Sequence, residues 1–213
     1  MATDPGPSRT TSLVDRVKNI LMQPKTEWPL IAAEPATIAG IYRNYVVILA
    51  AIGPICMMIG LMLMGGGFIH FATSFLIGQA ILSYILALVG VYVIALIIDA
   101  LAPTFGGVKS QVGAFKVAAY SMTASWVAGV LFIIPLLGIL ALVAAIYGFY
   151  LLYLGLPAVM KAPADKVVGY TIAVVIASII VLFLISTITT RAMYAMMPQA
   201  SPVSTITFSA PAG

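Results

Sequence analysis

Apolar character runs along this chain in long unbroken blocks. It lacks the one-faced periodicity of a soluble helix or strand. Between Arg43 and Asp99 lie 55 residues with no formal charge, between Lys116 and Lys161 another 44, and between Lys166 and Arg191 another 24. A helix crossing a hydrocarbon core of ~30 Å needs about 20 residues at ~1.5 Å each, so the blocks hold two, two and one spans. The first block divides at Gly65, Gly66 and Gly67 and the polar patch His70, Thr73 and Ser74. The second divides at Pro135-Leu136-Leu137-Gly138, where proline removes a helix hydrogen bond and glycine is a poor helix former. One continuous helix through Pro135 would be ~66 Å long, far too long for a bilayer, so a hairpin is predicted. The expected fold is all-α, a polytopic membrane protein with five transmembrane helices over residues 45–64, 74–98, 117–134, 137–160 and 168–189.

Ahead of the first span the pattern changes. Residues 1–11 are rich in Pro, Ser and Thr and are expected to be a disordered tail. The segment 12–44 reads as amphipathic. Ser12 offers an N-cap, with Asp15 in capping-box position. Leu13, Val14, Val17, Ile20 and Leu21 fall on one helical face; Asp15, Arg16, Lys18 and Asn19 fall on the other, and Pro24 ends the pattern. So short a helix is marginal alone in water, but lying in the membrane interface it has a reason to form. Arg16, Lys18 and Trp28 are therefore expected as interfacial anchors. Docking on the protein's own loops and binding a partner are the other two readings. A further short helix is expected to start at Pro35 and run into the first span, with Arg43 snorkelling to the headgroups.

Composition agrees and removes alternatives. Only 8% of residues are charged, against roughly 25% in an ordinary soluble domain, and 62% are hydrophobic with a mean hydropathy of +1.15, which excludes a soluble enzyme. With five spans, the N-terminal tail and the second and fourth loops share one side. That side collects nine of the ten basic residues, leaving Arg191 alone opposite. The positive-inside rule then places the N-terminus in the cytoplasm and residues 191–213 outside as an extracytoplasmic tail. The same topology accounts for the net charge of +4, so nucleic acid is not an expected partner. No apolar h-region precedes the first span, so no cleavable signal peptide is expected. Cys56 is the one cysteine and forms no intramolecular disulfide.

The search for chemistry yields little. One His and one Cys lie far from any paired carboxylate, and no metal-ligand spacing, phosphate loop or nucleophile elbow occurs, so no catalytic residue, metal or cofactor is expected. Asp99, at the end of the second span before Pro103, is the one ionisable group of interest. Its readings are a solvated charge or a partner of Lys109 or Lys116, a buried structural bond, or proton and ion handling. Gly106 and Gly107 predict a tight or re-entrant turn after Pro103. Ser121, Ser125 and Gly129 recur every four residues, which puts small side chains on one face for helix packing, within the bundle or between two copies. Tyr147, Tyr150 and Tyr153 form a second stripe; Tyr147 lies deeper and needs a hydrogen-bond partner.

Several stretches resemble the Yip family of small five-span membrane proteins, and its bacterial branch in particular. The resemblance covers roughly residues 12–190. It rests on Pro24-Lys25-Thr26-Glu27-Trp28 with Ile31 and Glu34, on Tyr42, on Asp99 with Pro103, on Ala118-Ala119-Tyr120-Ser121, and on the stretch from Tyr147 to Tyr153-Leu154-Gly155-Leu156. Eukaryotic members carry Asp-Leu-Tyr-Gly-Pro at the end of the second span, of which Asp99 and Pro103 remain here. Their Gly-Tyr pair is matched by Ala119-Tyr120. Those relatives bind prenylated Rab GTPases in vesicle traffic, a partner that a bacterial cell lacks. The resemblance implies the topology and a non-enzymatic membrane role. The function expected is organising or recruiting other membrane components, with the bilayer, proteins at the cytoplasmic face and a second copy of the chain as partners. The alternative is a transporter or channel for an ion, lipid or small solute.

Overall fold

The computed structural model describes residues 12–64 and 73–196. The expected disordered tail, the glycines and His70 of the first break, and residues 197–213 lie outside the described residues. Among the described residues the chain is all-helical. Two short helices, α1 (Leu13–Met22) and α2 (Pro24–Ala33), precede five long apolar ones. These are α3 (Ile38–Leu63), α4 (Thr73–Leu101), α5 (Gln111–Ile133), α6 (Leu136–Met160) and α7 (Val167–Ala192), each long and apolar enough to cross a bilayer.

Local chemistry sets the boundaries. The Ser12 hydroxyl accepts from the Asp15 N–H at 3.1 Å and donates to the Asp15 carboxylate at 2.7 Å, closing the expected cap. Pro24 opens α2, where its missing N–H costs nothing. The next helix starts at Ile38, not Pro35, because the Thr37 side chain caps it by accepting from the Gly40 N–H. This is the start of α3, which continues through a π-turn at Tyr42–Val46, where the Val47 N–H reaches back to Tyr42 O. A π-turn widens the helix by one residue, and here it accompanies the hydrogen bonds of Tyr42 and Tyr45 to different neighbouring helices. The break between α5 and α6 is sharper than a loop: Ile134 alone is extended, and Pro135 starts the next turn. After α4 the chain reverses on Gly106, whose φ of +72° favours a residue without Cβ; Gly107 N–H closes on Ala102 O at 2.8 Å.

The third span begins at Gln111 and not Val117, so Lys116 lies within the helix. α5 is the centre of the bundle. Residues 113–121 are continuously buried, and α3, α4 and α6 all pack on it. It is also the least apolar of the five spans. A helix shielded from lipid by its neighbours does not need lipid-soluble side chains. α7 is the opposite case. Ile172, Ile176, Ile180, Leu184 and Ile188, spaced by four, are each more than half exposed and meet the bilayer.

Candidate functional site

Four charged side chains, Arg16, Glu27, Glu34 and Lys116, come together where α1 and α2 dock on α5 and α6. Arg16 and Glu27 are 6% and 3% exposed. Arg16 Nη1 donates to Glu27 Oε1 at 2.5 Å, and Nη2 donates to Glu34 Oε1. The guanidinium carbon also lies 5.9 Å from the centre of the Tyr120 ring. Burial alone would draw the Arg16 pKa down. The hydrogen bond and charge of Glu34, with Tyr120 and Glu27, outweigh that and raise it above the ordinary arginine value.

Lys116 completes the set from the bundle side. Its ammonium donates to Ile31 O at 2.7 Å and Glu34 O at 2.5 Å. Those carbonyls close α2, which has no basic residue in its own last turn. A cation from another helix thus caps the negative end of α2. Two cations and two carboxylates share the junction, so its formal charge balances.

Aromatic rings fill the space beneath. Trp28 is 1% exposed, packs edge-on to Tyr120 with centroids 6.4 Å apart, and covers Gly155. Its indole N–H has no hydrogen-bond partner among the described residues. Tyr120 packs in turn on Tyr45 at 4.7 Å. Thr123 donates its single proton to Tyr120 O at 2.7 Å, so in the 2.6 Å contact with Tyr45 the tyrosine is the donor. Tyr147 OH donates to Leu21 O at 2.6 Å, which ties α6 to the last turn of α1. Tyr147 lies 13 residues from the Met160 end of α6, roughly 20 Å along the helix, so the α1–α2 pair reaches well down the bundle.

This placement corrects the expectation for Arg16 and Trp28. Both side chains are held in protein and not among headgroups, because the buried pair and Gly155 give them better-matched surroundings. Arg16 shares a face with buried Ile20, one turn away, in place of the outward face that it was assigned. Lys18 is exposed, as are Val14 and Met22 one turn on either side of it.

Asp99 takes the buried-bond reading. It is 4% exposed, and Oδ1 accepts from the Ser110 N–H at 2.8 Å. Ser110 is the N-cap of α5, whose dipole favours a carboxylate there. Lys116 is directed to α2 instead, and no ion pair joins Asp99 to Lys109 among the described residues. The pocket beside Asp99, shared with Gln111 and Phe115, holds about 10 Å³, no more than one water. Pro103 is exposed in the α4–α5 turn. Tyr150 and Tyr153 are 39% and 41% exposed and stand outside the junction. Asp99 bonds the start of α5, whereas Tyr120 packs on Trp28 and Tyr45, and Tyr147 bonds α1.

The small-residue stripe serves two neighbours. A Cβ on Gly148 of α6 would lie 3.0 Å from Ser121 O and 3.8 Å from Ser125 Oγ. One on Gly129 would lie 2.8 Å from Gly53 Cα of α3. The stripe lets α5 approach α6 at one end and α3 at the other. Sequence reading missed Glu27, Glu34 and Lys116 as a group. The available signal was that positions 27, 31 and 34 share one face of a helix, which sets two carboxylates beside an apolar residue.

Among the described residues no group of three His, Cys, Asp or Glu could hold a metal ion. Two curated relatives are similar over most of the chain. The inner membrane protein YohC of Escherichia coli K12, and its counterpart in E. coli O6:H1 strain CFT073, are each 27% identical over 179 residues, covering 79% of this chain and 91% of theirs. No solved structure matches. The Yip1 domain model matches residues 18–185, nearly all of the five-span unit and its docked N-terminal pair, and the chain belongs to the Yip1 domain family.

Proposed function

We propose that this multi-pass inner-membrane protein is a non-enzymatic organiser, holding a firm surface at one end of its bundle to which other membrane components are recruited. The observation that carries the reading is the use made of its buried charges. Arg16, Glu27, Lys116 and Asp99 all bond to protein groups that fix α1, α2 and the start of α5. A carrier keeps such groups for its cargo. The α4–α5 turn and the α6–α7 loop lie at the same end, since Val108 N–H bonds Met160 O at 2.7 Å. Lys109, Lys161 and Lys166 are exposed there, Lys18 and Lys25 are exposed on α1 and α2, and the positive-inside rule makes that end cytoplasmic. The segment 12–44 is then the cytoplasmic portion, 45–190 the membrane domain and 191–213 the extracytoplasmic tail. The test is affinity purification of the full chain from membranes in mild detergent, against a control five-span protein. A reproducible set of membrane partners is expected; repeated recovery of none would sink the reading.

The second reading, a transporter or channel, draws on a cleft of about 560 Å³ between α3, α4 and α5. Its walls are mostly apolar, which suits a lipid better than an ion. Transfer of a labelled lipid across proteoliposome membranes that filling the cleft with Ser125→Trp blocks would favour this reading over the first.

A further inference from the structure

Two hydrogen bonds tie α3 to α4 in the half nearer α1 and α2. Tyr42 OH donates to Leu88 O at 2.7 Å, and Tyr84 OH donates to Val47 O at 3.0 Å. In the half remote from α1 and α2, α3 turns to α5 instead. A Cβ on Gly129 would lie 2.8 Å from Gly53 Cα, and one on Gly60 would lie 2.5 Å from Phe132 O. A cleft of about 560 Å³ lies between α3, α4 and α5 along this half. That volume falls within the range of small-molecule sites.

The walls include Met57, Met58, Leu61, Leu76 and Phe132, with small Ala50, Ala87 and Ser125 toward the middle of the bundle. Two of the polar residues that line it differ sharply. Ser83 is satisfied by Gln79 O and Ala80 O, at 2.6 and 3.2 Å. Gln79 Oε1 is buried and accepts no hydrogen bond from any described residue. A buried acceptor left without a donor is uncommon in a native fold. Gln79 lies under two turns from the Thr73 end of α4, on the order of 9 Å in, near the depth where a lipid head gives way to its chains.

We propose that this cleft binds one membrane amphiphile, a single acyl chain whose head carries a hydroxyl or amide N–H. The donor meets Gln79 Oε1, and the chain runs past Met57 and Met58 toward Ala50 and Ala87. The unbranched, polarisable methionines adapt to chains of different length, while the Gln79 acceptor selects for the donor. The site is separate from the α1–α2 junction and does not rest on the organising role proposed above.

The test uses the full chain in phosphatidylcholine liposomes, whose headgroups carry no hydrogen-bond donor. Two probes are compared: a monoacylglycerol with a diazirine in its chain, and the same molecule with both hydroxyls methylated. The monoacylglycerol is expected to label peptides containing Met57, Leu76 or Phe132 saturably. The methylated probe should label them about five- to tenfold more weakly, the scale of one neutral hydrogen bond. Gln79→Leu should bring the first probe down to the second and leave the second unchanged. Equal, unsaturable labelling by both probes would mean ordinary surrounding lipid and overturn the proposal. So would labelling of Gln79→Leu that matches wild type. If that variant fails to fold, the comparison of probes on the wild-type chain decides alone.

Discussion

The indole of Trp28 lies so close over Gly155 that a methyl group on that glycine would sit 2.7 Å from two of its ring carbons. The contact joins α2 to α6 at the core of the docked junction. Gly155→Ala must therefore displace the ring. Overpacking of this kind costs about 1–3 kcal/mol. A lower melting temperature in detergent and a shift of the Trp28 emission should accompany it, with Trp126→Phe as background to isolate the signal. An unchanged spectrum would show that the ring is not held there.

Breaking the Arg16–Glu27 pair should be more severe than losing a surface ion pair. Both side chains are under a tenth exposed, and removing one partner strands a buried charge, at about 3–5 kcal/mol. Arg16→Ala should free α1 and α2 for limited proteolysis between residues 23 and 37. The double variant Arg16→Met with Glu27→Met should recover much of the protection, because it buries neither charge. Equal sensitivity of single and double variants would refute the argument.

Lys116→Met removes the donor to Ile31 O and Glu34 O while keeping the length of the side chain. The expected loss is about 1–3 kcal/mol, felt at α2 and not across the bundle. Hydrogen exchange should rise at the end of α2 while α7 stays protected. A uniform rise would mean that the lysine supports the whole fold.

Asp99→Asn keeps an oxygen to accept from the Ser110 N–H, whereas Asp99→Ala leaves that donor alone. Asn should stay within about 1 kcal/mol of wild type and Ala should lose about 1–3 kcal/mol, both read from thermal unfolding. An alanine variant as stable as the asparagine one would remove Asp99 from its capping role.

The stripe on α5 should respond unevenly. Gly129→Ala meets the backbone of Gly53 and should cost about 1–3 kcal/mol. Ser121→Ala should be neutral or stabilising, since Ser121 Oγ is buried with no partner among the described residues. Equal effects at the two positions would mean that residue size is not what the stripe provides.

How much of this was legible follows from the distance over which each interaction acts. The count of spans came from gaps between charges, and the Ser12 and Asp15 cap from neighbours three residues apart; both are local. The docked junction is not. Lys116 and Ile31 are 85 residues apart, and Tyr147 and Leu21 are 126 apart. In isolation Arg16, Glu27 and Glu34 look like solvated charges on an amphipathic helix, because nothing nearby announces that another helix will cover them. The same reasoning offered Asp99 a lysine partner across its loop beside a solvated and a buried reading. The structure gives the lysine to α2 and the aspartate to a backbone N–H. A charge pattern cannot foresee that choice, since backbone donors and acceptors are present at every position.

The hydrogen bond from Tyr147 to Leu21 also sets an order of events. α1 and α2 leave the ribosome first, but Lys116, Tyr120, Tyr147 and Gly155 are made much later. Until α5 and α6 have been synthesised, the apolar side of α1, with Leu13, Val17, Ile20 and Leu21, lacks the bundle that covers it. The membrane surface is the nearest shelter for such a helix. Interfacial binding and docking on the bundle then become successive stations of one segment, and the second can be reached only after most of the chain has been threaded into the bilayer.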